Sequence, residues 1–148
     1  MTGLAIRVVI IGMIVIGGVV FRDRLTGNAG ELKVGDCFDE PVGAQTVKDV
    51  QHHPCSESHT AEIFYSGNMP DAKGAPFPGK PAIENFVTAA CAPAFASFID
   101  RTVNTDALDV GYLAPLADGW KSGDRGVSCY VTTMNRAPMT RSLKAASN

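Results

Sequence analysis

Residues 4–21 (LAIRVVIIGMIVIGGVVF) carry a single charge, Arg7, in a run otherwise dominated by Ile and Val. As a helix this run would be about 27 Å long, nearly the thickness of a bilayer's hydrocarbon core. It predicts one membrane anchor over residues 1–21, a polar linker over 22–31, one domain over 32–144 and a short tail over 145–148. A cleaved signal would end in a small-residue site. Here Phe21-Arg22-Asp23-Arg24 follows directly, with no Ala-x-Ala pattern and no lipobox cysteine, so the run is read as retained. Flanking charge does not orient it: Arg7 stands on one side, Arg22, Arg24 and Lys33 on the other. Gly12, Gly17 and Gly18 are candidate contact points for a neighbouring helix, although they do not form GxxxG.

Orientation comes from the cysteines. Cys37, Cys55, Cys91 and Cys129 all follow the apolar run. An even count in a small domain beyond a membrane segment implies two disulfides and an oxidising compartment. The domain is therefore expected on the extracytoplasmic face of the plasma membrane. Net charge is −2 with no basic cluster, which argues against nucleic-acid binding. Roughly 118 residues beyond anchor and linker suffice for one core.

The domain reads as strands, one helix, then strands. Residues 32–38 suggest a strand, a turn at Gly35-Asp36 and a second extended piece; residues 46–50 suggest another strand. Residues 59–66 alternate, with His59, Ala61, Ile63 and Tyr65 on one face and Thr60, Glu62 and Phe64 on the other. Residues 67–81 hold four prolines and three glycines and read as a surface loop, with Phe77 as its candidate partner contact. From Pro81 a helical stripe runs through Ile83, Phe86, Val87, Ala90, Cys91, Ala94, Phe95, Phe98 and Ile99, with Pro93 on the outer side. Residues 109–114 and 127–133 read as strands, residues 115–119 as a turn, and the chain from Asn135 as a polar, partly ordered tail. This predicts an α+β fold: an antiparallel sheet with one packed helix. Four cysteines permit three pairings, which spacing alone does not separate. With Cys91 on the helix facing Cys129 on the last strand, and Cys37 and Cys55 closing the early strands, the layered arrangement favours Cys37–Cys55 and Cys91–Cys129. Each would contribute about 3–4 kcal/mol by the chain-entropy model.

Gly35-Asp36-Cys37-Phe38, Pro54-Cys55 with His59 and Glu62, Cys91, Trp120-x-x-Gly123-Asp124-Arg125-x-Val127-x-Cys129 and Ser142-Leu143-Lys144, in that order, resemble the septum formation domain family. Its members are actinobacterial membrane proteins with an extracytoplasmic domain. The resemblance implies a link to cell division and supplies no reaction and no catalytic residue.

The chemistry-bearing cluster is His52, His53, Cys55, His59 and Glu62. It lacks a standard zinc spacing, and a paired Cys55 is not a ligand, so no metal or cofactor is expected. There is no CxxC, no Gly-x-Ser-x-Gly and no phosphate loop, and no catalytic residue is assigned. His59 or Glu62 is expected to bond to nearby backbone or to Arg125, and Arg125 to bridge to Asp36 or Glu62. Trp120 is expected in the core near Cys129, with an interface role as the alternative. The resulting expectation is a non-enzymatic, membrane-anchored interaction module that works through other membrane proteins. An accessory subunit of a larger membrane complex, such as a respiratory one, and a metal or redox enzyme built on the His/Cys cluster are the alternatives.

Overall fold

The computed structural model describes residues 26–41, 43, 47, 49–70 and 74–146. The proposed anchor, with Gly12, Gly17 and Gly18, lies outside the described residues. Among the described residues no helix is long and apolar enough to cross a membrane.

Six strands form one antiparallel sheet: β1 (Thr26–Asn28), β2 (Cys37–Phe38), β3 (Asp49–His53), β4 (Ala61–Asn68), β5 (Leu108–Leu113) and β6 (Gly126–Thr133). Their spatial order is β1-β3-β2-β4-β6-β5. Among the described residues two α-helices accompany the sheet, α1 (Lys80–Phe98) and the short α2 (Ala117–Lys121). The α+β class, the single large packed helix and both disulfides agree with the sequence expectation.

Helix α1 forms because its apolar stripe has somewhere to go. Ile83, Cys91 and Phe98 are buried, and Phe86, Val87, Ala90, Ala94 and Phe95 pack beside them against Phe64, Val127, Cys129 and Val131 of the sheet. Pro81 stands in the first turn, where its missing N–H costs no hydrogen bond. Pro93 faces solvent. The Cys91–Cys129 disulfide ties the middle of this helix to the central strand β6.

Strand β4 departs from simple alternation. A bulge between Ile63 and Tyr65 inserts Phe64, so that Phe64 and Tyr65 both join the helix-side cluster. Ala61 and Ile63 point to the other face, which is also covered. Ala29, Leu32, Phe38, Val50, Ile63 and Tyr130 form a second, smaller core there. The sheet's centre is thus buried on both sides, which is why residues 61–64 are all buried where alternation predicts a half-exposed strand.

Three further expectations are corrected. The segment taken as a polar linker contains β1 and a 3₁₀ turn (Ala29–Glu31); β1 pairs with β3, while Leu32 and Lys33 form no strand. Thr26-Gly27-Asn28 carries no strand signal, so β3 supplies the order. Residues 117–121, taken largely as turn, form α2. The chain beyond Asn135 is no loose tail. His59 and Met139 exchange backbone hydrogen bonds of 3.0 and 2.7 Å, Asp100 N donates to Leu143 O, and Ala145 N donates to Phe98 O. Met139 and Leu143 are buried in the helix-side core.

On the smaller core, the Tyr130 hydroxyl donates to Glu40 Oε1 at 3.0 Å, and Arg136 Nε lies 3.4 Å from Glu40 Oε2. Burial, reinforced by the Glu40 carboxylate, pushes the Tyr130 phenol well above its ordinary value of 10.0. A raised folded-state value means the folded domain holds this proton more tightly than the unfolded chain. The stabilisation is complete below pH 10 and is lost as pH rises through the folded value. Thermal melting from pH 8 to 11 should therefore show a steeper fall in wild type than in Tyr130→Phe. Parallel curves would contradict this coupling.

Candidate functional site

The residues with the strongest sequence signal sit at three places around the sheet. The first is the β2 entrance. Gly35 takes a left-handed turn at φ 95°, where a side chain would be strained. Asp36 closes that turn by accepting from Lys33 N at 2.8 Å, and Ile63 N donates to Asp36 O at 2.9 Å. The turn delivers Cys37, 2 % exposed, to Cys55. His53 lies directly across from Cys37, and its Nε2 is 2.8 Å from Asp39 Oδ2. Gly35, Asp36, Cys37, His52, His53, Pro54 and Cys55 line an open cleft of about 220 Å³. That is smaller than the ~300–1,000 Å³ typical of small-molecule sites. Cys37 Sγ, Cys55 Sγ and a Glu62 carboxylate oxygen lie within 4.8 Å of one another, but both sulfurs are committed to the disulfide and offer no thiolate to a metal.

The second place is Glu62, fully buried in β4. One carboxylate oxygen accepts the Ser142 hydroxyl; the other accepts Leu143 N at 2.7 Å. Ser142 Oγ in turn accepts from Lys144 N at 3.1 Å. Ser142-Leu143-Lys144 is therefore a clasp that closes the C-terminal chain onto the sheet, and Glu62 is its anchor. His59, also fully buried, uses Nδ1 against Glu57 O at 2.8 Å. The expected backbone bonding of His59 and Glu62 is found. The expected bridge from Arg125 to Asp36 or Glu62 is not, because the clasp already fills the Glu62 carboxylate.

Arg125 belongs instead to the third place, around Trp120. Its guanidinium lies 3.6 Å from the centroid of the Trp120 ring, and Nη1 donates to Trp120 O at 2.8 Å and Asp124 O at 2.7 Å. Trp120 Nε1 donates to Ala75 O at 2.9 Å, tying the Pro-rich loop down. Asp124 Oδ1 accepts from Gly126 N at 2.9 Å and so opens β6. Trp120 is 4 % exposed and shares a cluster with Cys129. Phe77 is half-buried and meets Trp120 edge-on at 6.1 Å, so it is not the freely exposed loop residue that its neighbours suggest. Sequence reasoning missed the Trp120–Arg125 stack; their spacing across a Gly-Asp turn was the available signal.

These are the residues on which the sequence resemblance rests. A family model described as septum formation matches residues 34–147. The chain belongs to the septum formation family. No curated protein and no solved structure matches it.

In this septum formation domain the motif residues bond within the fold, some from buried positions (Glu62, Trp120) and some from exposed ones (Asp124, Ser142). Each of the three places ends in a bond that holds one segment of chain to another: β2 to β3 and β4, the C-terminus to β4, the Pro-rich loop to α2. The Trp120–Arg125 stack should behave accordingly. Arg125→Met keeps the aliphatic cover and removes the cation–π contact and the two carbonyl bonds. It should lower stability by about 1–3 kcal/mol in urea denaturation, with the transition still cooperative. A change within ~0.3 kcal/mol would remove Arg125 from the scaffold.

Proposed function

We propose that this protein is a membrane-anchored, non-enzymatic interaction module on the extracytoplasmic face of the plasma membrane, serving septum formation. Supporting the division link is family membership over residues 34–147. Two closed disulfides support the oxidising side. The apolar run at residues 4–21 supports the anchor. The observation that carries the non-enzymatic reading is that the motif is engaged by the domain itself: Glu62, Trp120, Asp124, Arg125 and Ser142 all bond within the fold.

The β1 pairing adds a spatial consequence. Only residues 22–25 separate the apolar run from β1, a span of at most about 17 Å of extended chain. The domain sits on the membrane surface by its β1 edge instead of trailing on a flexible tether.

Full-length tagged protein should remain with membranes after an alkaline carbonate wash. Detergent purification should then recover division proteins in defined ratio. Release into the wash would overturn the anchor. Recovery of one respiratory complex would move the protein to an accessory-subunit role.

A further inference from the structure

Strand β5 is the sheet's edge opposite β1, and among the described residues it pairs on one side alone, with β6. Met134 N donates to Ala107 O, which fixes the phase of that pairing. By antiparallel alternation Asp109, Gly111 and Leu113 direct their backbone groups to β6, while Leu108, Val110 and Tyr112 direct theirs to the open side. The Val110 amide is consistent with this: it is met only by the neighbouring Asp109 Oδ1 at 2.8 Å. Exposed apolar surface gathers here too. Of the four large hydrophobic residues exposed among the described residues, Val110 (46 %) lies in β5, Leu116 (51 %) follows its end, and Met134 (68 %) is bonded at its start. Unpaired strand edges flanked by apolar side chains are templates for another strand.

We propose that β5 pairs with β5 of a second copy, antiparallel, about a two-fold axis at Val110. The side chains of a self-paired register suit this occupant. Centred on Val110, each outward group meets an outward group: Val110 faces Val110, and Leu108 faces Tyr112, giving about six backbone hydrogen bonds. All these side chains lie on the helix side of the sheet, where Leu108 and Tyr112 already join the core. On the opposite side each Asp109 faces Gly111, which has no side chain because the Tyr130 ring occupies the space where a Cβ would stand. A shift to a centre at Asp109 would instead set two carboxylates directly opposite one another, which is destabilising. Asp109 acts as a guard: its carboxylate holds the Val110 amide until the partner strand displaces it.

This inference extends the interaction-module reading and does not depend on the anchor. Its test is sedimentation velocity of the full chain in density-matched detergent. Wild type should be dimeric. Val110→Pro removes the outward N–H without touching the β6 ladder and should weaken dimerisation roughly 30-fold from two symmetry-related bonds lost. Val110→Lys should do the same if the proline variant folds poorly. Asp109→Ala should tighten the dimer by roughly 3–10-fold, an effect that a purely structural Asp109 would not produce. A wild type that stays monomeric at every attainable concentration overturns the proposal and leaves the edge to a strand from another protein. A dimer that persists unchanged in both folded Val110 variants overturns it in favour of association through the anchor.

Discussion

Glu62→Ala should destabilise the domain by about 3–5 kcal/mol, among the largest effects of any single substitution here. The loss has two parts. Two hydrogen bonds to a carboxylate disappear, each worth about 1.5–3 kcal/mol. The amide of the buried Leu143 then has no acceptor, and the turn in which Lys144 N donates to Ser142 Oγ loses its fixed point. Glu62→Gln is the informative partner. Its amide oxygen can still accept from Leu143 N, and its NH₂ can turn to Ser142 Oγ, so the cost should fall to about 1–2 kcal/mol. Hydrogen exchange localises the effect. In Glu62→Ala the Leu143 amide and the His59–Met139 pair should lose protection before β6 does, because the clasp opens first. Uniform loss of protection across the sheet would mean that Glu62 supports the core as a whole and not the C-terminal segment.

The second large effect belongs to the Cys91–Cys129 disulfide. It closes a separation of 38 residues, against 18 for Cys37–Cys55. Loop entropy alone assigns it about 4 kcal/mol, against about 3 for the shorter loop. Burial widens the gap, since Cys129 is fully buried and Cys91 is 4 % exposed, while Cys55 is only half-buried. The double variant Cys91→Ala/Cys129→Ala should therefore lose more stability than Cys37→Ala/Cys55→Ala, and α1 should lose protection first. Denaturant titration of both variants, with native thiol counts as control, checks this. A difference of only about 1 kcal/mol would show that the α1–β6 tie is no more than a loop constraint, and an equal loss would contradict the ranking. Free thiols in the native wild type would contradict both disulfides.

Much of this fold is legible in the chain because its signals are local. The α1 stripe repeats at helical spacing over 19 residues, and β5 and β6 are β-rich runs bounded by turns. The pairing of Cys91 with Cys129 follows once the helix is laid over the last strand. The misreadings share the opposite property. Thr26-Gly27-Asn28 is a strand only because β3 lies beside it. Residues 135–146 look polar, yet Met139 and Leu143 seat in the core because His59 and Glu62, about 80 residues earlier, hold the backbone between them. The β4 bulge turns one predicted face into two. At the candidate site the individual residues were visible, but their partners were not. Arg125 stacks on a ring five positions away and does not reach Glu62, whose carboxylate is occupied by the C-terminal clasp. Spacing indicates which residues matter; only the packed sheet indicates what they hold.

On the proposed reading the motif builds a scaffold, and interaction belongs to the surface and the anchor. The most direct measurement compares partner recovery with stability in one series: Glu62→Gln, Trp120→Phe and Arg125→Met, each purified full-length from membranes. Recovery per folded molecule should equal wild type in all three, with any loss tracking the fraction unfolded. A variant that keeps the wild-type melting temperature and still loses its partner would contradict the claim and place that residue in a functional site.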